Sequence, residues 1–367
     1  MTIRTEELVL NVGPQHPSTH GVLRLILHLD GEVITACEPV VGYLHRGTEK
    51  LAENLNYTQI IPYTDRMDYV SAMTNNYVLC HTVETAMGIQ VPERAEYIRV
   101  ICMEMQRIAS HLVWWGTFLL DLGALSPFLH AFKDRETILD FFNELTGARM
   151  TYNYMRVGGV KWDVPDGWIE RVKDFVRYMK KRVNEYEALV SGNEIFLHRV
   201  QGIGVIDAQT ALAYGLSGPA LRSAGIKWDL RRDEPYSIYD RFDFDIPVGK
   251  NGDCLDRYMI RIEEIRQSLR ILEQALEQFP PDGDIMGKVP RVIRPPEGEL
   301  YVRIESPRGE IGCHLVSKGK PEPYRLKFRR PSFWNLQILP KLLVGQPMSN
   351  LIAILGAVDI ILGEVDA

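Results

Sequence analysis

The sequence predicts an α+β fold: a central helical bundle with small antiparallel β-sheets supplied by the N- and C-terminal segments. Three observations carry that reading. Short apolar runs broken by turn signals fill residues 7–38. From about 48 to about 280, apolar residues recur at spacings of three and four, the period of a helix. Strand-like runs then return at 300–305, 311–317 and 323–330. The expected organisation is a single domain over 1–367, with an N-terminal β region over about 1–47, a helical core over about 48–280 and a C-terminal α/β region over about 281–367.

Taken in order, residues 7–12, 22–29 and 32–38 read as strands, and Asp30-Gly31 is a hairpin turn signal between the last two. Pro92-Glu93 opens a long helix through Ile98, Ile101, Met105, Ile108 and Leu112, with Pro92 suited to a first helical turn and Gly123 to the end. A further helix runs from about Pro127 to Leu145 and closes at Gly147. Residues 167–190 are charged and amphipathic. The clearest helix spans about 253–279, where Leu255, Met259, Ile262, Ile265, Leu269, Leu272, Leu276 and Phe279 form one stripe before Pro280-Pro281. Short helices are expected after Pro331 and Met348, and no internal repeat or low-complexity linker interrupts the chain.

Composition narrows the function. The chain has 367 residues, 46% hydrophobic and 25% charged, which suits a buried core and excludes disorder. A net charge of −6 argues against a general nucleic-acid binder, which needs a basic surplus. The longest apolar runs, Leu112–Leu120 and Leu351–Val358, are stopped by Asp121 and Asp359 before reaching the roughly 20 residues a bilayer requires. The opening MTIRTEELVLN has no apolar signal region, so a cytoplasmic chain not itself inserted in a membrane is expected. Cys37, Cys80, Cys102, Cys254 and Cys313 include no CxxC pair, which leaves no ligand set for a self-contained zinc or iron–sulfur site. The odd count reads as free thiols in a reducing compartment.

Several constellations carry chemistry. In Gly13-Pro14-Gln15-His16-Pro17-Ser18-Thr19-His20-Gly21, two histidines stand four apart, but Pro17 and the glycines make a loop and there is no HExxH glutamate. A metal pair, a well-bonded loop histidine and a histidine aimed into a cavity as proton donor are the three readings, and the last suits the loop best. Tyr63-Thr64-Asp65-Arg66-Met67-Asp68-Tyr69 is either a polar helix start or a tyrosine poised to donate to a ligand carbonyl. Asp121, in an apolar run, caps the next helix, pairs with a partner or carries a proton. Glu104, Arg107 and His111, three and four apart, read as a satisfied network between helices. Gly202-Ile203-Gly204 lacks the third glycine and the βαβ setting of a dinucleotide loop, so NAD binding by this chain is rejected. The alternation over 324–330 reads as a solvated strand face, with a partner-protein surface left open.

Long segments, in order along nearly the whole chain, resemble one family. They are NVGPQHPSTHGVLRL (11–25), GYLHRGTEK (42–50), DRMDY (65–69), RAEYIRV (94–100), ASHLVWWGTFLLDLGAL (109–125), NYMRVGGV (153–160), ESPRGE (305–310), PSFWNLQ (331–337) and GEVD (363–366). The family they resemble is the D subunits of the NADH–quinone oxidoreductases, respiratory complex I, homologous to the [NiFe]-hydrogenase large subunit.

The resemblance implies a [NiFe]-hydrogenase large-subunit-like fold and a peripheral subunit on the cytoplasmic side of the cell membrane. Its partners would be the B, C and I subunits and the membrane-embedded H subunit, with the B subunit holding the terminal [4Fe–4S] cluster. The substrate would be quinone, while NAD, FMN and the clusters would reside in partner subunits and none in this chain alone. The quinone-headgroup pair falls on His20 and Tyr69, the nearby acid on Asp121, and the arginines near the partner's cluster on Arg66 and Arg46. Hydrogenases hold nickel and iron with two cysteine pairs; here the matching stretches, 66–71 and 359–364, contain no cysteine, so no nickel site is expected. Thr151 stands where many relatives carry a histidine that links cluster potential to pH, so that linkage is not expected to carry over.

The chemistry of the residues agrees. Quinone reduction takes two electrons and two protons. This chain lacks a redox centre but offers proton donors, Tyr69 and His20, refilled through Asp121. Proton translocation coupled to that reduction follows from the resemblance. A membrane-bound hydrogenase large subunit and a scaffold subunit are the alternatives.

Overall fold

The computed structural model describes residues 8–16 and 21–367. Strands β1 (Leu8–Val12), β2 (Arg24–Asp30) and β3 (Val33–Val40) form an antiparallel sheet in that order, with Leu8 opposite Leu29 and Asp30 opposite Val33. The alternation of β2 buries Leu25, Leu27 and Leu29 on one face. Asp30 itself pairs, so the turn is Gly31-Glu32, with Gly31 at φ 61°. The far end of the chain closes on this sheet: Ile34 N donates to Gln346 O at 2.9 Å and Gly345 N to Ile34 O at 2.8 Å.

The helical core begins with α1 (Thr48–Ala52), α2 (Tyr57–Thr64) and α3 (Ala72–Met87). Asn56 and Gln59 cap α2 reciprocally, each side chain accepting from the other's backbone N–H. The long α4 runs Glu93–Asp121, 29 residues and about 44 Å. Pro92 takes its N-cap position, one residue before the first turn in which the sequence pattern set it. The predicted stripe is buried, but so are most of the other faces, because α5 (Leu125–Thr146), α11 (Cys254–Glu277) and α14 (Leu351–Val358) pack around this helix. α5 starts two residues before the expected Pro127 and ends at Gly147 as expected.

A two-residue ladder, β4 (Met155–Arg156) and β5 (Gly159–Val160), leads into α6 (Trp168–Val190), whose apolar face buries Val172, Phe175, Met179, Val183 and Tyr186. Four short helices follow: α7 (Glu194–Val200), α8 (Ala208–Ala213), α9 (Gly218–Ser223) and α10 (Leu230–Asp233). Their periods are too short to register in the sequence. α11 is capped by Asp253, which accepts from Asp256 N at 2.8 Å. Gly204 admits Arg257 of α11, whose Nη2 donates to Gly204 O at 2.7 Å.

β6 (Gly298–Ser306), β7 (Gly309–Ser317) and β8 (Arg325–Arg329) make the C-terminal antiparallel sheet. β8 buries Leu326 and Phe328, while Arg325 pairs with Glu49 and Glu53 and Arg329 with Glu310. The expected solvated face is thus largely committed to ion pairs within the chain. Helices α12 (Pro331–Leu336), α13 (Leu339–Leu343), α14 and α15 (Leu362–Val365) finish the fold. Trp114 of α4 donates through Nε1 to Gly356 O of α14 at 2.7 Å, fastening the terminal helices to the core. Among the described residues, no helix is long and apolar enough to cross a membrane.

Candidate functional site

Tyr69 lies in the turn that joins α2 to α3, half-buried beside the chain's last helices. The turn is tied down locally. Asn75 Nδ2 and Ser71 N both donate to Asp68 O, at 3.2 and 3.0 Å, and Val70 N donates to Asp68 Oδ1 at 3.1 Å. Asn76 donates to Thr64 Oγ1 at 2.8 Å and Ile61 O at 3.1 Å, which fixes the end of α2 against α3. Burial raises the Tyr69 phenol above its ordinary range and the adjacent Asp68 charge raises it further, while Arg308 lowers it. At neutral pH Tyr69 is therefore a neutral hydroxyl donor.

Beneath the turn is a buried charge cluster. Arg308, 1% exposed at the tip of the β6–β7 hairpin, donates Nη1 to Asp68 Oδ2 at 2.6 Å and to Ser110 Oγ at 3.1 Å. Its Nη2 reaches Asp359 Oδ1 at 3.3 Å, and Asp359 also faces Arg261 Nε at 3.4 Å. Asp359 takes the left-handed φ of 58° that ends α14. From there the chain passes directly under Tyr69: a Cβ added to Gly363 would lie 2.8 Å from Met67 O, 3.2 Å from Arg66 O and 3.3 Å from Tyr69 Cε1. Glu364 follows, fully buried, its Oε2 accepting from Ser332 N at 3.1 Å and from the Ser332 hydroxyl.

The terminal segment also binds the 42–46 loop. Asp366 accepts from Gly42 N and Leu44 N, both at 2.8 Å, and His45 Nδ1 bonds Asp366 O at 2.8 Å. Arg46 then donates to Arg66 O at 2.5 Å, and Arg66 to Pro62 O at 2.5 Å, so both predicted arginines stand together on the exposed side of the turn. On the opposite side, Asp65 is buried and accepts from Asn153 N at 3.0 Å. Burial pushes the Asp65 carboxyl up to about 6 despite Arg66 and Arg156 nearby. Thr151 and Asn153 flank this contact at left-handed φ of 55° and 46°.

The other predicted residues fare differently. His20 lies outside the described residues, but its neighbour Gly21 sits against Leu362, where an added Cβ would be 3.5 Å from Leu362 Cβ. Asp121 is the last residue of α4, eleven residues and about 16 Å along the axis from the Ser110 that bonds Arg308. It is half-buried, and the N-cap of α5 is Ala124, so the capping alternative is replaced by a position at the end of α4.

Glu104, Arg107 and His111 do form a network. Glu104 meets Arg107 at 3.3 Å, Arg231 at 3.1 Å, and Ser268 and Tyr239 at 2.7 Å each. His111 Nε2 bonds Glu264 at 2.8 Å, and Glu264 takes Arg222 at 2.6 Å. The arginines hold Glu104 down to about 2 against its burial. Arg308, Asp359 and Glu364 join the site without having been singled out as site residues, although Arg308 and Glu364 lie in the ESPRGE and GEVD motifs. Arg308 lies 240 residues from Asp68, so no local pattern shows that the two meet.

Comparison with known proteins decides the family. A family model described as the respiratory-chain NADH dehydrogenase 49 Kd subunit matches residues 121–296 and 287–367. The chain is 71% identical over 366 residues to the D subunit of the NADH-quinone oxidoreductase of Geobacillus kaustophilus, covering 100% of both chains. It is 70% identical to the D subunit of Geobacillus thermodenitrificans and 69% identical to that of Bacillus mycoides, each over 99% of this chain and 100% of the relative. The chain belongs to the family of NADH-quinone oxidoreductase D subunits. It is thus a component of complex I, an oxidoreductase assembly whose other subunits are its partners. Its mixed fold with small antiparallel sheets is that of the 49 kDa subunit family.

Proposed function

We propose that this chain forms the quinone-reducing site of a proton-translocating complex I, with Tyr69 as the hydrogen-bond and proton donor to one quinone carbonyl and His20 to the other. The observation that carries the reading is the Tyr69 turn: a half-buried neutral phenol held from below by Arg308 and the terminal segment. As electrons reach the quinone, charge grows on its oxygens, and a fixed hydroxyl aimed there stabilises that charge and then yields its proton. Gly21 packing on Leu362, next to the Gly363 that faces Tyr69, supports His20 as the second donor. Asp121 would take part in refilling His20.

Electrons would come from a [4Fe–4S] cluster of the B subunit on the Arg46–Arg66 side, where two fixed positive charges raise the cluster's potential. The C, I and H subunits complete the surroundings, and the assembly sits on the cytoplasmic side of the cell membrane. NAD and FMN belong to the input subunits. The two stretches that match the hydrogenase cysteine pairs meet here through Asp68, Arg308 and Asp359. A guanidinium already occupies the space between those carboxylates, which supports a chain with no metal centre of its own.

The test is Tyr69→Phe in the assembled complex. Quinone-analogue reduction should fall about 10²-fold while reduction of an artificial acceptor upstream of quinone persists. Unchanged quinone turnover at matched subunit content refutes the reading and leaves a scaffold role.

A further inference from the structure

Glu364, one residue past the glycine that faces Tyr69, is a carboxyl with one side left open. Its Oε2 takes both Ser332 bonds, while its Oε1, also buried, has no hydrogen-bond partner among the described residues. A buried ionised oxygen without a donor is costly, and a proton on that oxygen removes the cost. The charges around it point the same way. Asp68 faces it from the Tyr69 turn and Arg308 from the β6–β7 tip, and Arg330, from the residue before α12, is shared with Glu49 and Asp366. Asp359 on the end of α14 and Arg261 of α11 complete the cluster through Arg308. Arg308 and Arg261 are committed to Asp68 and Asp359, and Arg330 is divided among Glu49, Glu364 and Asp366, so no guanidinium is dedicated to Glu364. Burial and the Asp68 charge both favour a proton resting on Glu364, raising its carboxyl to about 7.

We propose that Glu364 is the proton reserve of the quinone site, refilling the Tyr69 hydroxyl after it donates. The inference rests on the quinone reading above and adds a residue to it. The step is a proton transfer only: the Glu364 O–H bond breaks, the phenolate oxygen left on Tyr69 regains its proton, and Glu364 stays a carboxylate until solvent protons return. Electrons reach quinone through the complex's oxidation of NADH and do not pass through Glu364. The reserve lies beside the turn that carries Tyr69: Asp68, the residue before Tyr69, faces Glu364, and a Cβ added to the neighbouring Gly363 would be 3.3 Å from Tyr69 Cε1 and 2.8 Å from Met67 O.

The experiment uses the detergent-purified complex and follows NADH-driven reduction of a quinone analogue from pH 6 to 9, beside reduction of an artificial acceptor that takes electrons before quinone. Wild type should lose quinone turnover as pH rises past the reserve's titration. Glu364→Gln keeps the Ser332 acceptor but holds no exchangeable acid. It should lower quinone kcat at least tenfold at all pH values with the quinone KM little changed, and abolish the alkaline limb. Ser332→Ala removes a bond that favours the carboxylate, so Glu364 stays protonated to higher pH and the alkaline limb moves up. Wild-type kcat and limb in Glu364→Gln, or an unmoved limb in Ser332→Ala, overturns the proposal, and Ser332→Ala alone decides it if Glu364→Gln does not assemble. A Tyr69→Phe complex run in parallel separates the two readings: if it keeps turnover the quinone reading has failed, and if only Glu364→Gln keeps turnover the reserve has failed.

Discussion

Arg308 is the pin of the candidate site, and replacing it with methionine tests that claim quantitatively. Arg308→Met keeps a long apolar stem but leaves Asp68 buried without its 2.6 Å partner, whereas Asp359 retains Arg261. Removing one member of a buried pair typically costs about 3–5 kcal/mol. The protein's escape, increasingly cheap as pH falls, is to protonate Asp68, whose carboxyl burial already raises. Holding a carboxyl of ordinary pKa near 3.9 neutral costs about 1.36 kcal/mol per pH unit, hence ~4 kcal/mol at pH 7 and ~1.5 kcal/mol at pH 5. The sign follows: a carboxyl whose folded pKa is raised gives up stability as pH climbs from its unfolded pKa to its folded one. The penalty should therefore shrink on acidification. The assay is hydrogen exchange of the peptides covering 65–71 and 305–310 in the assembled complex, corrected for intrinsic rates at each pH, since local opening reports this region directly. Asp68→Asn in the Arg308→Met background should restore much of the protection, because it removes the orphaned charge. Protection that is wild-type at pH 7, a penalty that does not fall by pH 5, or a double variant no better than the single would each show that Arg308 does not pin the turn through Asp68.

Two further substitutions probe the same turn. Gly363→Ala places a Cβ 2.8 Å from Met67 O, a backbone atom that cannot swing aside; it should cost about 1–3 kcal/mol and lower quinone turnover at matched assembly, and wild-type values for both would show that the terminal segment does not set the position of Tyr69. Asp65→Asn removes a buried carboxyl raised to about 6 from 3.8, a group that costs the native state up to about 3 kcal/mol as pH rises from about 4 to about 6. The variant should accordingly gain local protection over 61–67 relative to wild type across that window, and parallel pH curves would remove Asp65 as a titrating group.

What the sequence disclosed follows the range of the interactions. α4 and α11 were legible because their apolar residues repeat over 29 and 24 residues, long enough for a period to stand clear. α7 to α10 have four to seven residues each and are held by tertiary contacts such as Arg222 with Glu264 and Arg231 with Glu104, which leave no local period. Tyr69, Arg66 and Arg46 were legible in their motifs. The reason they work together was not, since Arg46 meets Arg66 through a backbone carbonyl twenty residues away and Arg308 crosses 240 residues to Asp68. Glu364 read as part of a terminal motif, and only packing shows that it is buried with one oxygen unpartnered.

A proton donor to quinone needs a fixed place and a high affinity for its proton before electrons arrive, and both properties trace to the same contacts. The turn bearing Tyr69 belongs to neither α2 nor α3, so helix geometry alone would leave it free to move. It is instead met by four separate stretches of chain: Arg46 at Arg66 O, Asn153 at Asp65, Arg308 at Asp68, and Gly363 against Met67 O. A donor held this way needs little reorganisation when charge develops on the acceptor, the condition under which a single hydrogen bond contributes most. The ion pair that pins the turn also sets its chemistry, because the Asp68 charge beside the ring raises the phenol while Arg308 tempers it. Loosening Arg308 would thus shift the donor's position and its acidity together. A variant that alters only one of them, such as Gly363→Ala for position, is the means of telling which property limits quinone reduction.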